Sequence, residues 1–106
     1  MLLVTVLLGV LQLALALHVR NTVVDAAGEG ARYGALAGSS PAAGAERTRE
    51  LVTTALHARY GQDVRGEIVE RDGLELVEVT VSAPLPVLGL LGPSGTLTAR
   101  GRAVLE

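Results

Sequence analysis

Residues Leu2 to Leu17 are apolar except for Thr5, Gly9 and Gln12, and nothing after Leu17 stops the helix that such a run forms. From His18 the pattern turns amphipathic, with no proline and no capping cluster before Gly38-Ser39-Ser40-Pro41. One continuous helix is therefore expected to about Ala37, greasy all round at its start and two-faced at its end. At 1.5 Å per residue the apolar part covers about 24 Å of a hydrocarbon layer of about 30 Å. A helix that leaves a membrane and keeps going is built to carry something outside it.

The same run has a second reading. Ala14-Leu15-Ala16 has the small-x-small form of a signal-peptidase site, which would release a small exported soluble binding domain beginning at Leu17. Met1 is followed at once by Leu2-Leu3-Val4 with no Lys or Arg, unlike the basic start of a signal peptide, and this favours a retained anchor.

At 106 residues the chain has room for one domain beside the span, and the sequence divides into a transmembrane segment (1–18), its extramembrane continuation (19–37) and a small α+β head (38–106). Nine basic and eleven acidic residues are mixed in sign and form no basic stripe, which sets nucleic acid aside as a partner. Cysteine is absent, so disulfides, thiolate metal sites and thiol nucleophiles are excluded together. Phe and Trp are absent too, and Tyr33 and Tyr60 are the only aromatics. A core without the ~150–250 Å² that each aromatic buries must rely on Leu, Val, Ile and Ala, and is expected to gain from a partner or a neighbour in an assembly.

Within the helix, Ala26, Gly30, Gly34 and Gly38 recur every fourth residue with Ala27, Ala31 and Ala35 beside them. Glycine in a helix costs about 1 kcal/mol relative to alanine, so this bare face is expected to receive another backbone, and Ala26, Gly30 and Gly34 are the helix-packing candidates. Asp25, Glu29 and Arg32 lie on a polar side, Glu29 and Arg32 as an i,i+3 pair. Gln12 either hydrogen-bonds a neighbouring helix in the span or is simply tolerated near the end of it.

Ser40 suits an N-cap and Pro41 the first position of a second helix, expected over 41–60. Its inner face would carry Leu51, Val52, Ala55 and Leu56, with Ala45 and Thr48 a turn earlier, and Gly61 would end it in the left-handed conformation. The period then becomes two. Strands over about 62–71 and 74–83 flank Asp72-Gly73, a type I′ hairpin signal. A two-residue loop pairs Arg71 with Leu74, Ile68 with Val77, Gly66 with Val79 and Val64 with Val81, all on one face, and sets Glu67 opposite Glu78. A third strand over 96–105 beside the second would bring Arg100 and Arg102 to those glutamates. The fold class is α+β with a three-stranded antiparallel sheet in the order 1-2-3.

Between the second and third strands, Pro84 to Pro93 is apolar where a loop is normally polar. It either folds back over the sheet or uses Leu85, Val87, Leu88, Leu90 and Leu91 to touch a membrane surface or a neighbouring subunit. Catalytic chemistry has little to stand on. His18 and His57 lie in different elements, no carboxylate sits in an apolar pattern that would shift it, and Ser39, Ser40, Ser82 and Ser94 make no nucleophile elbow. Neither an enzyme nor a cofactor or metal site is expected.

The apolar span, Asn21, and Ala26-Ala27-Gly28-Glu29-Gly30-Ala31-Arg32-Tyr33-Gly34-Ala35 together resemble the N-terminal region of TadE-like (TadE/TadF) proteins, pseudopilin-type components of bacterial tight-adherence (Flp, type IVc) pilus systems. The resemblance covers roughly the first third of the chain. It implies a single-pass protein of the bacterial cytoplasmic membrane, its C-terminal head outside the cytosol, serving as a structural subunit in pilus assembly or a related secretion apparatus. The implied partners are membrane lipid and other pilus-assembly or pilin subunits, in a homo- or hetero-oligomer. Family members carry a basic stretch and a Gly/Glu prepilin-peptidase site before the span, and no residue here matches either.

Overall fold

The computed structural model describes residues 1–56, 58–84 and 96–105. Helix α1 (Leu2–Ala35) leads to helix α2 (Pro41–Ala55), a 3-10 turn (Ala58–Gly61) and strands β1 (Asp63–Arg71), β2 (Leu74–Pro84) and β3 (Thr96–Val104). Both helices lie on one face of an antiparallel sheet of order β1-β2-β3, an α+β architecture.

Helix α1 has two halves with different surroundings. Every large apolar side chain from Leu2 to Leu17 is at least 48% exposed. From Val19 onward a stripe of Val19, Val23, Ala26, Ala27, Gly30, Ala31, Gly34 and Ala35 is buried, the spacing of an amphipathic helix with one covered face. The helix stops where Leu36 turns extended (ψ 148°), and Gly38 takes a positive φ of 84° to swing the chain into α2. The Ser40 side chain accepts a hydrogen bond from the Ala43 amide at 3.1 Å, and Pro41 opens the helix at the position where a missing N–H is harmless.

Helix α2 ends at Ala55, a turn and a half short of the expected 60. In an unbroken helix Arg49 and Gly61 would be about 18 Å apart. Here the chain doubles back, so that a Cβ on Gly61 would stand 3.3 Å from the Arg49 carbonyl oxygen and 3.0 Å from Thr53 Oγ1. Gly61 therefore supplies close approach, not a left-handed cap, and the 3-10 turn returns Tyr60 to the core. Ala55, expected on the inner face, is exposed, because α1 and α2 are closest near Gly44 and an open groove lined by Thr22, Asp25, Glu29, Leu51 and Ala55 separates them here.

The hairpin turns through Asp72 (φ 52°) and Gly73 (φ 80°), the left-handed pair that a type I′ turn requires. The register follows: Arg71 opposite Leu74, Ile68 opposite Val77, Gly66 opposite Val79, Val64 opposite Val81. Val77, Val79 and Val81 are fully buried beneath the helices, with Val64, Leu97 and Ala99 beside them. Ile68 shares their face yet is half exposed, since it lies toward the hairpin, beyond the helices' cover.

One cross-strand row, Gly66–Val79–Gly101, explains how a core of valine and alanine closes. A Cβ on Gly66 would lie 2.9 Å from the Pro41 carbonyl carbon, and one on Gly101 would overlap the Ala27 carbonyl. Each helix thus rests its backbone directly on a strand glycine, and the layers are thin enough for short side chains to fill.

Candidate anchoring helix and its packing face

The small-residue face of α1 is occupied from within the chain. A Cβ on Gly30 would stand 2.6 Å from the Gly44 carbonyl oxygen, and one on Gly34 would stand 2.9 Å from the Ser40 carbonyl oxygen and 3.2 Å from Val77 Cγ1. Ala26 is buried, and its carbonyl faces the Thr48 hydroxyl at 3.3 Å. That hydroxyl is shared with the Gly44 carbonyl at 2.9 Å, which satisfies a fully buried polar group at the helix crossing. Ala26, Gly30 and Gly34 therefore face α2, and a partner subunit would find no bare surface there. Expected readiness for lateral contact at these three positions gives way to an intramolecular helix pair.

Glu29 and Arg32 form an exposed ion pair at 3.0 Å, worth a few tenths of a kcal/mol on a solvated helix face. Leu85, Val87, Leu88, Leu90 and Leu91 lie outside the described residues, as does His57. Gly101 lies beneath Ala27 while Val77 lies against Gly34, so α1 runs in the same sense as β3. The end of β2 and the start of β3 consequently belong to the end of the head from which the apolar half of α1 emerges.

On the sheet face away from the helices, Arg65–Thr80–Arg100 and Glu67–Glu78–Arg102 form adjacent rows. Glu78 is buried, and Arg102 Nε donates to its Oε2 at 2.6 Å, so the like-charge pairing across the hairpin is neutralised on one side. Arg100 and Glu67 enter no ion pair among the described residues. Arg49, at the β1 edge, pairs with Glu46 and donates to the Val64 carbonyl at 3.3 Å. Among the described residues, no three His, Cys, Asp or Glu side chains gather where they could hold a metal ion.

Helix α1 is long and apolar enough to cross a membrane, and the part that would do so is the part the head leaves uncovered. Residues 1–32 match the model of the TadE-like protein family. The match spans the apolar half of α1 and most of its packed half, including Ala26, Glu29, Gly30 and Arg32, and stops before α2 and the sheet. The TadE-like match points to tight-adherence pilus assembly. No curated protein and no solved structure matches the chain.

Sequence reasoning passed over Gly44, Gly66 and Gly101. The two strand glycines carried a usable signal, since an isolated glycine in a strand marks close backbone approach.

Proposed function

We propose that this protein is a membrane-anchored structural subunit of the TadE-like, pseudopilin type, acting in pilus assembly. In this reading residues 1–18 sit in the bacterial cytoplasmic membrane as a single pass. The α+β head stands outside the cytosol and contacts other pilus-assembly or pilin subunits. The protein works by anchoring and contact, without catalysis or a cofactor. The observation that carries the reading is the division of α1: an apolar half whose large side chains are exposed, fused without a break to a half that forms part of the core of the head.

The test is alkaline carbonate extraction and flotation of the full chain, with protease access to the head from each side of the membrane. Pellet-bound chain of intact mass and a head digested only from outside the cytosol are the expected results. Intact chain in the aqueous phase would overturn the reading.

A second reading is favoured by one observation. The first buried residue is Val19, so release after Ala16 would remove no buried side chain and leave a complete soluble binding domain. The mass of the mature N-terminus separates the two, since release yields a chain starting at Leu17.

A further inference from the structure

We propose that the head rests directly on the phospholipid headgroup layer, with one defined end down and the β-hairpin pointing away, and is not held off the membrane on a stalk. The inference rests on the anchored reading above.

Its first support is the absence of a spacer. The apolar run ends at Leu17, Val19 is already in the core, and α1 is continuous across the join. Only His18 separates lipid-compatible helix from packed helix, a rise of about 3 Å from Leu17 to Val19. A head tied this closely to a continuous helix cannot stand clear of the surface that the helix enters.

Its second support is the order of the elements along that helix. Gly101 meets Ala27 and Val77 meets Gly34, so moving back along α1 toward the span moves along the sheet toward Ala83, Leu97 and the strand ends at Pro84 and Thr96. The step from the Gly101 row to the Leu97 row is about 13 Å at 3.3 Å per residue, and the same distance along α1 from Ala27 arrives near Val19. Helix α2 runs the opposite way to α1: Gly44 meets Gly30 and Gly34, Thr48 meets Ala26, and Leu51 and Ala55 flank Thr22. Its C-terminal end therefore reaches the same level, as does Asp63 at the start of β1, which pairs with Ser82. The turn before α2 and the Asp72-Gly73 hairpin occupy the opposite end.

Charge supplies the third support and names the surface. Glu70 and Glu75 face each other at the hairpin with Asp72 between them and one base, Arg71, nearby. At the lower end Arg20 is exposed three residues beyond Leu17, within reach of a lipid phosphate, and Arg65 and Arg100 lie on the base side of the acidic row. An anionic bilayer repels the acidic hairpin and attracts the basic residues of the lower end.

The experiment exploits the absence of cysteine, which makes any introduced one unique. Thr98→Cys at the base and Glu75→Cys at the tip, both exposed positions, are spin-labelled in the full chain. Each is reconstituted in phosphatidylcholine–phosphatidylglycerol vesicles carrying a headgroup-chelated nickel lipid. The two sites differ by about 23 Å along β2 and β3, so relaxation enhancement at Thr98→Cys should exceed that at Glu75→Cys several-fold. Equal or reversed enhancement in protein that floats with the vesicles would overturn this inference and leave the anchored reading standing. Protein that does not float would overturn both.

Discussion

Gly66 and Gly101 flank Val79 in a single row across the sheet, and each lies beneath the backbone of a different helix, Pro41 of α2 over the first and Ala27 of α1 over the second. Val79 between them is fully buried. This relationship explains the composition. With both helices lowered onto strand backbone, the space along this row is the size of valine and alanine, and an aromatic ring there would hold the layers apart, whereas Tyr60 joins the core from the 3-10 turn.

Replacing Gly101 with Ala should destabilise the head by about 2–3 kcal/mol, because the new methyl overlaps helix backbone that cannot swing aside. Gly28→Ala is the matched control. It lies in the same helix, its Cβ would meet only the mobile Arg32 guanidinium at 3.7 Å, and helix propensity should make it neutral or up to about 1 kcal/mol stabilising. Denaturant unfolding of the full chain in detergent micelles reads both.

Among the described residues Arg102 is the one donor to the Glu78 carboxylate, which is 9% exposed, and Arg102→Ala should cost about 1–3 kcal/mol. Because Arg102 is itself 40% exposed, the lower half of that range is favoured. Combining it with Glu78→Gln should cost less than the two single changes added, as expected for partners in contact. Strict additivity in a double-mutant cycle would show that the pair is not coupled.

Much of this was legible before the structure. Asp72-Gly73 fixed the hairpin and through it the register, since only one pairing puts Val64, Val77, Val79 and Val81 on one side. Ser40-Pro41 marked the start of α2, and Arg102 beside Glu78 followed from strand order. The end of α2 was not legible, because Gly61 signals equally a left-handed cap and a close approach, and only the doubled-back chain distinguishes them. The fate of Gly30 and Gly34 was hidden for a related reason. A bare helix face specifies that a backbone will come near and says nothing about whose, and the complementary Gly44 and Thr48 belong to this same chain.

That assignment changes how assembly should be probed. Leucine at Gly30 and Gly34 would unfold the head, so loss of a partner crosslink would carry no information about an interface. Leu8→Arg is the cleaner substitution. It lies on the uncovered half of α1, where Leu8 is 52% exposed, and its charge at mid-span opposes insertion by about 2.5–3.5 kcal/mol. Carbonate-resistant membrane association should fall while the unfolding midpoint of the head in micelles stays the same. A shifted midpoint would mean that the two halves of α1 are energetically coupled.

The boundary between those halves can be located by shortening the chain. A protein beginning at Leu17 keeps every buried residue and should unfold with a free energy within about 0.5 kcal/mol of the full chain. One beginning at Val24 loses Val19 and Val23, which are 2% and 0% exposed, and with them about 3–6 kcal/mol of apolar burial. A head with no Phe or Trp has little stability to spare, so the shorter chain should fail to fold cooperatively, visible as a broad transition in near- and far-ultraviolet circular dichroism. Equal cooperativity in both would place the start of the core later in α1 than Val23.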